Sequence, residues 1–207
     1  MVSVYICTAD DTQLYVSFDV AECGYTIVRV EECVGDIQSL MLQNKLQLNG
    51  NKTEMIVFTS PYIKNHNSDV QLLICEDLIK SSKFARNLGA VFDKHLNLEA
   101  HVATICRSSY FHIQNIRSLR PILNRDALIS VFHPFISSRL DYCNSLLYGI
   151  SDKSIQKLQC IQNIAARLVS GCKKFDHITP IIKDLHWLSI QERITVKVLI
   201  MTCKAIK

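Results

Sequence analysis

The sequence predicts an α+β fold in two parts, and two observations carry that expectation. Up to about residue 96 the apolar residues come in short runs of strand length parted by turn formers, whereas from Asn97 the apolar period lengthens from 2 to 3.6. The charge divides at the same place. Residues 1–96 hold 8 Lys/Arg against 12 Asp/Glu, a balance of −4, and residues 97–207 hold 15 against 7, a balance of +8. An acidic half joined to a basic half fits a metal site beside a polyanion-binding surface; it fits equally two ordinary surfaces of unequal charge.

Composition narrows the class. With 207 residues, 48% apolar and 20% charged, the chain has enough material for one sizeable domain or two small ones and is neither fibrous nor disordered. The nine Cys are odd in number and form no CxxC pair, and the seven His form no HExxH. Cys172 with His177 is a chance spacing, so no zinc site is expected. No signal peptide precedes the first strand, which leads to reduced cysteines and an intracellular location, nuclear or cytoplasmic and not secreted. The apolar run from Ala127 to Ser138 is broken by His133 and Pro134 and is too short to span a membrane.

In order along the chain, two apolar runs at about 2–8 and 12–19 predict a hairpin whose polar tip carries Asp10 and Asp11. A hairpin at the start of a chain is marginal by itself, so the sequence reads as part of a longer polypeptide. Glu31 to Leu48 predicts a helix, with Val34, Ile37, Met41 and Leu48 near one face. The Asn49-Gly50-Asn51 turn then presents Lys52 at the entrance to a predicted strand, Met55 to Thr59. Val70 to Cys75 and Leu78-Ile79 predict paired strands around Glu76-Asp77. Leu88 to Phe92 is strand-like, and Gly89 inside it predicts a bulge or a close backbone approach.

The second half predicts helices. Leu98 to Leu119 has Asn97 as cap and Pro121 beyond its end. Asn124 caps a second helix, kinked at Pro134, that runs on through Arg139 and Asp141, a pair read as a structural polar network. Ser151 or Asp152 opens a third, lined by Ile155, Leu158, Ile161, Ile164, Ala165 and Leu168 and closed by Gly171. A short element, Ile178 to Leu185, precedes His186-Trp187. Ser189 with Glu192 makes a capping box for a last helix striped by Ile190, Ile194, Val198, Met201 and Ala205.

Paired Asp oxygens on a stiff tip suit a hard cation such as magnesium, although an Asp-Asp turn is in general a solvated loop tip. Several blocks go further. Ala9-Asp10-Asp11-Thr12-Gln13-Leu14-Tyr15 resembles the catalytic hairpin of reverse transcriptases from non-LTR retrotransposons, the LINE-type, jockey-like elements. Asn49 with Lys52-Thr53-Glu54 resembles that family's next block, and Ala85 to Asp93 its primer-grip region. Arg139 to Leu147, Leu158-Gln159 with Gln162-Asn163, Ala166-Arg167, His177 to Pro180 and Leu185 to Leu188 are similar to the family in the same order. Two departures are Thr8, where the family usually has an aromatic residue, and Ser189, where it usually has proline.

The resemblance implies the C-terminal part of a polymerase palm over residues 1–96, an antiparallel sheet with a covering helix, followed by an all-α thumb and C-terminal extension over 97–207. It implies an RNA-directed DNA polymerase, a nucleotidyltransferase that uses RNA template, DNA primer and deoxynucleotide triphosphates with magnesium, for which manganese substitutes. By resemblance Asp10 is a metal ligand, Asp11 supports it, and Lys52 neutralises phosphate charge; the alternative for Lys52 is a solvated turn lysine. Leu88 and Gly89 are expected to place the primer, and Lys153, Lys157 and Arg167 to contact the nucleic-acid backbone. The family also requires an aspartate on an earlier palm strand and a fingers region, so these residues by themselves are expected to be inactive. A rival reading is a catalytically dead nucleic-acid-binding or structural remnant that keeps only the fold.

Overall fold

The computed structural model describes residues 4–8, 11–60, 70–74, 77–173 and 175–206. Among the described residues six short strands and seven α-helices make an α+β arrangement, in two compact units that divide between Ala85 and Arg86.

In the first unit β1 (Val4–Thr8) and β2 (Asp11–Tyr15) pair antiparallel, from Val4 opposite Tyr15 to Thr8 opposite Asp11. The expected hairpin is present, but its second strand stops at Tyr15 and not at 19. A 3-10 turn, Val20–Glu22, leads into α1 (Cys23–Gln43). That helix corrects the expected span of 31–48 at both ends. Its first two turns carry Thr26, Ile27 and Val30, whose β-branched side chains disguise a helical face that continues to Val34. Its end is set by Lys45 at φ 59°, with the N–H of Leu46 donating to Met41 O at 2.9 Å, a left-handed cap made without glycine.

The expected strand at 55–59 reduces to one parallel bridge, Met55 to Ser81, supported by Ser82 N donating to Met55 O at 2.8 Å; residues 56–60 are irregular. With no neighbouring strand to pair there among the described residues, β-propensity alone does not make a ladder. β3 (Gln71–Ile74) and β4 (Asp77–Lys80) pair antiparallel as expected. Val34, Leu72 and Ile74 are buried together, and Leu14, Leu48, Met55 and Ile79 pack on them, which anchors the β1–β2 hairpin to α1. Glu31 reaches across to accept Leu73 N at 2.7 Å, satisfying a donor on this short sheet.

β5 (Phe84–Asn87) and β6 (Ala90–Asp93) form the third hydrogen-bonded pair. Then come α2 (Glu99–Leu119), α3 (Arg125–Phe132), a π turn (His133–Ser137), α4 (Ser138–Asp141), a 3-10 turn (Asn144–Leu147), α5 (Asp152–Ser170), α6 (Ile178–Asp184) and α7 (Ile190–Ile206). Pro134 has no N–H to donate, and the helix answers with the wide π turn that puts Ile136 fully inside. Asn124 caps α3 by accepting Ala127 N at 2.9 Å, and Ser151 caps α5 by accepting Ser154 N at 3.4 Å. Gly171 ends α5 at φ 78°, and Arg120 lies where a side chain at 171 would go. Ile113, Ile136, Leu147, Leu158, Ile161 and Ile194 form the innermost core. The last helix departs from its expected stripe: Ile190 and Ile194 are buried, but Met201 and Ala205 are exposed.

The start of α2 also differs. Asn97 Oδ1 does accept Glu99 N at 2.9 Å, but most of the capping falls to Asp93. Its buried carboxylate accepts His95 N at 3.0 Å, Asn97 N at 3.2 Å and Leu98 N at 2.7 Å. Asp93→Ala orphans these donors, of which Leu98 N is the most enclosed. It is expected to lower stability by about 2 kcal/mol in urea unfolding, with Asp93→Asn intermediate because its amide oxygen still accepts.

Candidate functional site

The expected site residues divide between the two units. Asp10 lies outside the described residues, and Asp11 opens β2 opposite Thr8. Lys52 is exposed at the end of a 3-10 turn, Gly50–Lys52, and not at the mouth of a strand. That turn braces itself: Lys52 N and the Thr53 hydroxyl both donate to Asn49 O at 3.1 Å, and Thr53 N donates to Gly50 O at 3.1 Å. The Asp77 carboxylate lies against Gly50, where an added Cβ would stand 2.5 Å from Oδ2. The absence of a side chain at 50 therefore lets the start of β4 approach the lysine turn.

Leu88 and Gly89 form the two-residue turn between β5 and β6, at φ 45° and 83°. Positive φ at both central positions is the signature of a tight hairpin turn that follows the strand twist. The expected bulge inside a strand is thus corrected to a turn, and Gly89 is there because it tolerates φ > 0. Leu88 is strained by about 1–2 kcal/mol in this region. Tyr142 offsets that strain. Its hydroxyl donates to Leu88 O, and its ring lies 3.4 Å from where a Cβ on Gly89 would be. Sequence reasoning gave Tyr142 no role; the one available signal was an aromatic residue inside the Arg139 to Leu147 block.

On α5, Lys153 and Lys157 are exposed one turn apart. Arg167, nearly four turns on, falls on the same side, but it is partly buried and donates from Nη2 to Asp176 O at 3.3 Å. The first two are free for an anion, whereas Arg167 also holds the segment after Gly171. Burial raises the nearby Cys106 thiol above its usual range, against the opposing charge of Lys157, so this cysteine stays protonated at neutral pH.

Other recurrent-looking blocks prove to be joints of the helical unit. Gln159 Nε2 donates to Gln162 Oε1 at 3.0 Å and Asn163 Oδ1 at 2.9 Å, and its Oε1 accepts Ile190 N at 3.0 Å. Fully buried Gln162 donates to Leu188 O at 2.7 Å. Arg193 Nε donates to the same carbonyl at 3.1 Å, and its Nη1 pairs with Asp141 at 2.8 Å. Asp141 is thus structural as expected, with Arg193 as its partner; Arg139 bonds Phe135 O instead, at 3.2 Å. The capping box is formed, with Ser189 N donating to Glu192 at 2.8 Å and Glu192 N to the Ser189 hydroxyl at 3.3 Å. The Ser189 hydroxyl, and then the Ser189 N–H, each donating to the Glu192 carboxylate at 2.8 Å, hold that carboxyl below its usual range.

Among the described residues no group of three or more His, Cys, Asp and Glu could hold a metal, and no helix is long and apolar enough to cross a membrane. Of the acidic pairs away from the hairpin, Glu31 is committed to Leu73 N. The hairpin's donors fit magnesium in kind, since they are carboxylates at consecutive positions, and such ions are usually held by one or two carboxylates together with substrate phosphates.

Comparison with known proteins finds a similarity to an RNA-directed DNA polymerase of a transposon. The chain is 24% identical over 151 residues to the probable RNA-directed DNA polymerase from transposon X-element of Drosophila melanogaster. This weak similarity covers 71% of the chain but only 16% of that relative's length. No family model and no solved structure matches.

Proposed function

We propose that the chain is part of the reverse transcriptase of a non-LTR retrotransposon, with the β1–β2 hairpin belonging to its palm and the helical unit to its thumb. The observation that carries this reading is the similarity to the X-element polymerase across 71% of the chain, with the Asp10-Asp11 pair at a hairpin as its chemical counterpart. Asp10 and Asp11 would hold magnesium, which supplies charge neutralisation on phosphates during nucleotidyl transfer. Lys52, exposed on its braced turn, would bring an ammonium to the leaving pyrophosphate. The Leu88-Gly89 turn would position the primer backbone, with Tyr142 keeping the turn in place. Lys153 and Lys157 would follow the phosphates of an RNA–DNA duplex without reading sequence. Thr8 favours a second reading, a binding module that has lost its chemistry, because the family usually has a ring there.

Both readings require duplex binding. Affinity of the chain for an RNA–DNA duplex is expected to fall linearly on a log–log plot against salt, by about 0.9 per phosphate neutralised. Lys153→Ala and Lys157→Ala should each flatten that slope by about 1. Binding absent at low salt, or insensitive to salt, would remove the proposed role of the helical unit. Primer extension separates the two readings.

A further inference from the structure

We propose that Phe111, Phe135 and Arg139 form a stacking platform for the unpaired bases of single-stranded nucleic acid. The inference rests on the nucleic-acid reading above and adds to it a surface and a strand preference.

The rings are placed for this. Phe111 on α2 is 64% exposed and Phe135 in the π turn 44% exposed, although burying a phenylalanine would stabilise the fold by about 1.5–3 kcal/mol. Between them sits His112, edge-on to Phe111 at 5.4 Å between centroids and tilted against Phe135 at 5.2 Å. Three rings thus run in sequence across the seam between two elements. Burial, and then the charge of Arg139, hold His112 below its usual range, so the middle ring is neutral at pH 7.

Two arginines flank the rings in sequence, and Asp141, two residues beyond Arg139, is already paired with Arg193. Arg139 Nε donates to Phe135 O at 3.2 Å, which ties the guanidinium to the backbone of the π turn that carries that ring, and its charge acts on His112. Arg107 stands exposed one turn before Phe111. Neither arginine has a carboxylate partner among the described residues, whose ion pairs include Arg125–Asp184 and Arg193–Asp141. The one acid of α2, Glu99, lies in its first turn, three turns from the patch.

This pattern selects the occupant. A second copy would set arginine against arginine, and an apolar protein surface would bury two unpaired guanidinium groups. Single-stranded nucleic acid meets both demands, with base faces for the rings and phosphates for the arginines. In a duplex the base faces are already covered by their neighbours, so the platform discriminates in favour of unpaired strand.

The test uses the whole 207-residue chain and fluorescence anisotropy with labelled oligouridine, oligothymidine and an RNA–DNA duplex. Phe111→Ala and Phe135→Ala should each weaken single-strand binding about tenfold and leave duplex binding unchanged. Ile122→Ala, at an 80% exposed aliphatic position, should change neither. Phe111→Trp should keep the affinity, and its indole emission should be quenched by the oligonucleotide over the constant background of buried Trp187. The ratio of oligouridine to oligothymidine affinity says which single strand the platform prefers. Unchanged single-strand binding in both alanine variants, or unquenched Phe111→Trp, overturns the platform. Equal weakening on single strand and duplex also overturns it and leaves the nucleic-acid reading intact. A wild-type chain that binds neither ligand overturns both.

Discussion

Asp10→Asn is expected to abolish primer extension by a chimaera in which residues 1–207 follow the fingers and first palm strand of a reverse transcriptase. The substitution keeps size and hydrogen-bonding capacity but removes the negative charge and a hard oxygen donor from the Asp10-Asp11 pair, and oxygen charge is what a hard cation needs. The measurement is deoxynucleotide incorporation on an RNA template with a DNA primer and magnesium. Lys52→Ala, which removes one charge-neutralising or proton-donating group, should lower the rate by a smaller factor, about 10²–10⁴. Thr8→Tyr should raise it if the missing ring is the defect. A polypeptide of these 207 residues by itself supplies carboxylates from only one of the two places that a two-metal site draws on, and is expected to extend no primer. A folded chimaera that stays inactive even with Thr8→Tyr favours the binding-module reading. Robust extension by the 207 residues by themselves overturns the division of labour proposed for the hairpin.

The helical half was the more legible part of the sequence. Its helices announce themselves through side chains that act locally: Asn124, Ser151, Gly171 and the Ser189/Glu192 box all take the roles their types predict. Three of the errors share a cause, which is left-handed backbone at residues other than glycine. Lys45 ends α1 early, Leu88 turns what reads as a strand, and Leu98 begins α2 with Asp93 supplying most of its cap. None of these positions carries the glycine that normally marks such a conformation. The strand expected at 55–59 failed for a different reason, since pairing is decided by a partner distant in sequence.

The candidate site was legible in its residue types more than in its geometry. Consecutive carboxylates at a hairpin can be read from alternation and turn chemistry. That Asp77 lies against the lysine turn, or that Tyr142 supports the Leu88-Gly89 turn, depends on contacts 27 and 54 positions apart in the chain, and no local pattern encodes them. The polar blocks around Gln159 and Gln162 carry the same lesson in reverse. The sequence marks them only as a block similar to the family, and their hydrogen bonds go to Leu188 and Ile190 and hold the fold together.

Trp187→Ala should be among the most destabilising single changes in the helical unit, at about 3–5 kcal/mol. The tryptophan is 8% exposed and stacks on Phe132 with centroids 4.3 Å apart and planes at 16°, while His133 meets it edge-on at 6.4 Å. It thereby fastens the segment after α6 to the end of α3. The backbone is arranged to deliver it. His186 adopts φ 54°, and Trp187 N donates to Ile182 O at 3.0 Å, which closes α6 and turns the indole inward. Truncation loses the buried area, the stacking and the filled volume together, and Gln162 and Arg193 hold Leu188 in place, so the site cannot easily collapse. Trp187→Phe keeps a ring for Phe132 and should cost less than about 2 kcal/mol. Because both variants remove the chain's one tryptophan, unfolding in urea is followed by far-UV circular dichroism. A loss below about 1 kcal/mol for Trp187→Ala would mean that the indole is peripheral to the core and that the Leu185 to Leu188 block is kept for another reason.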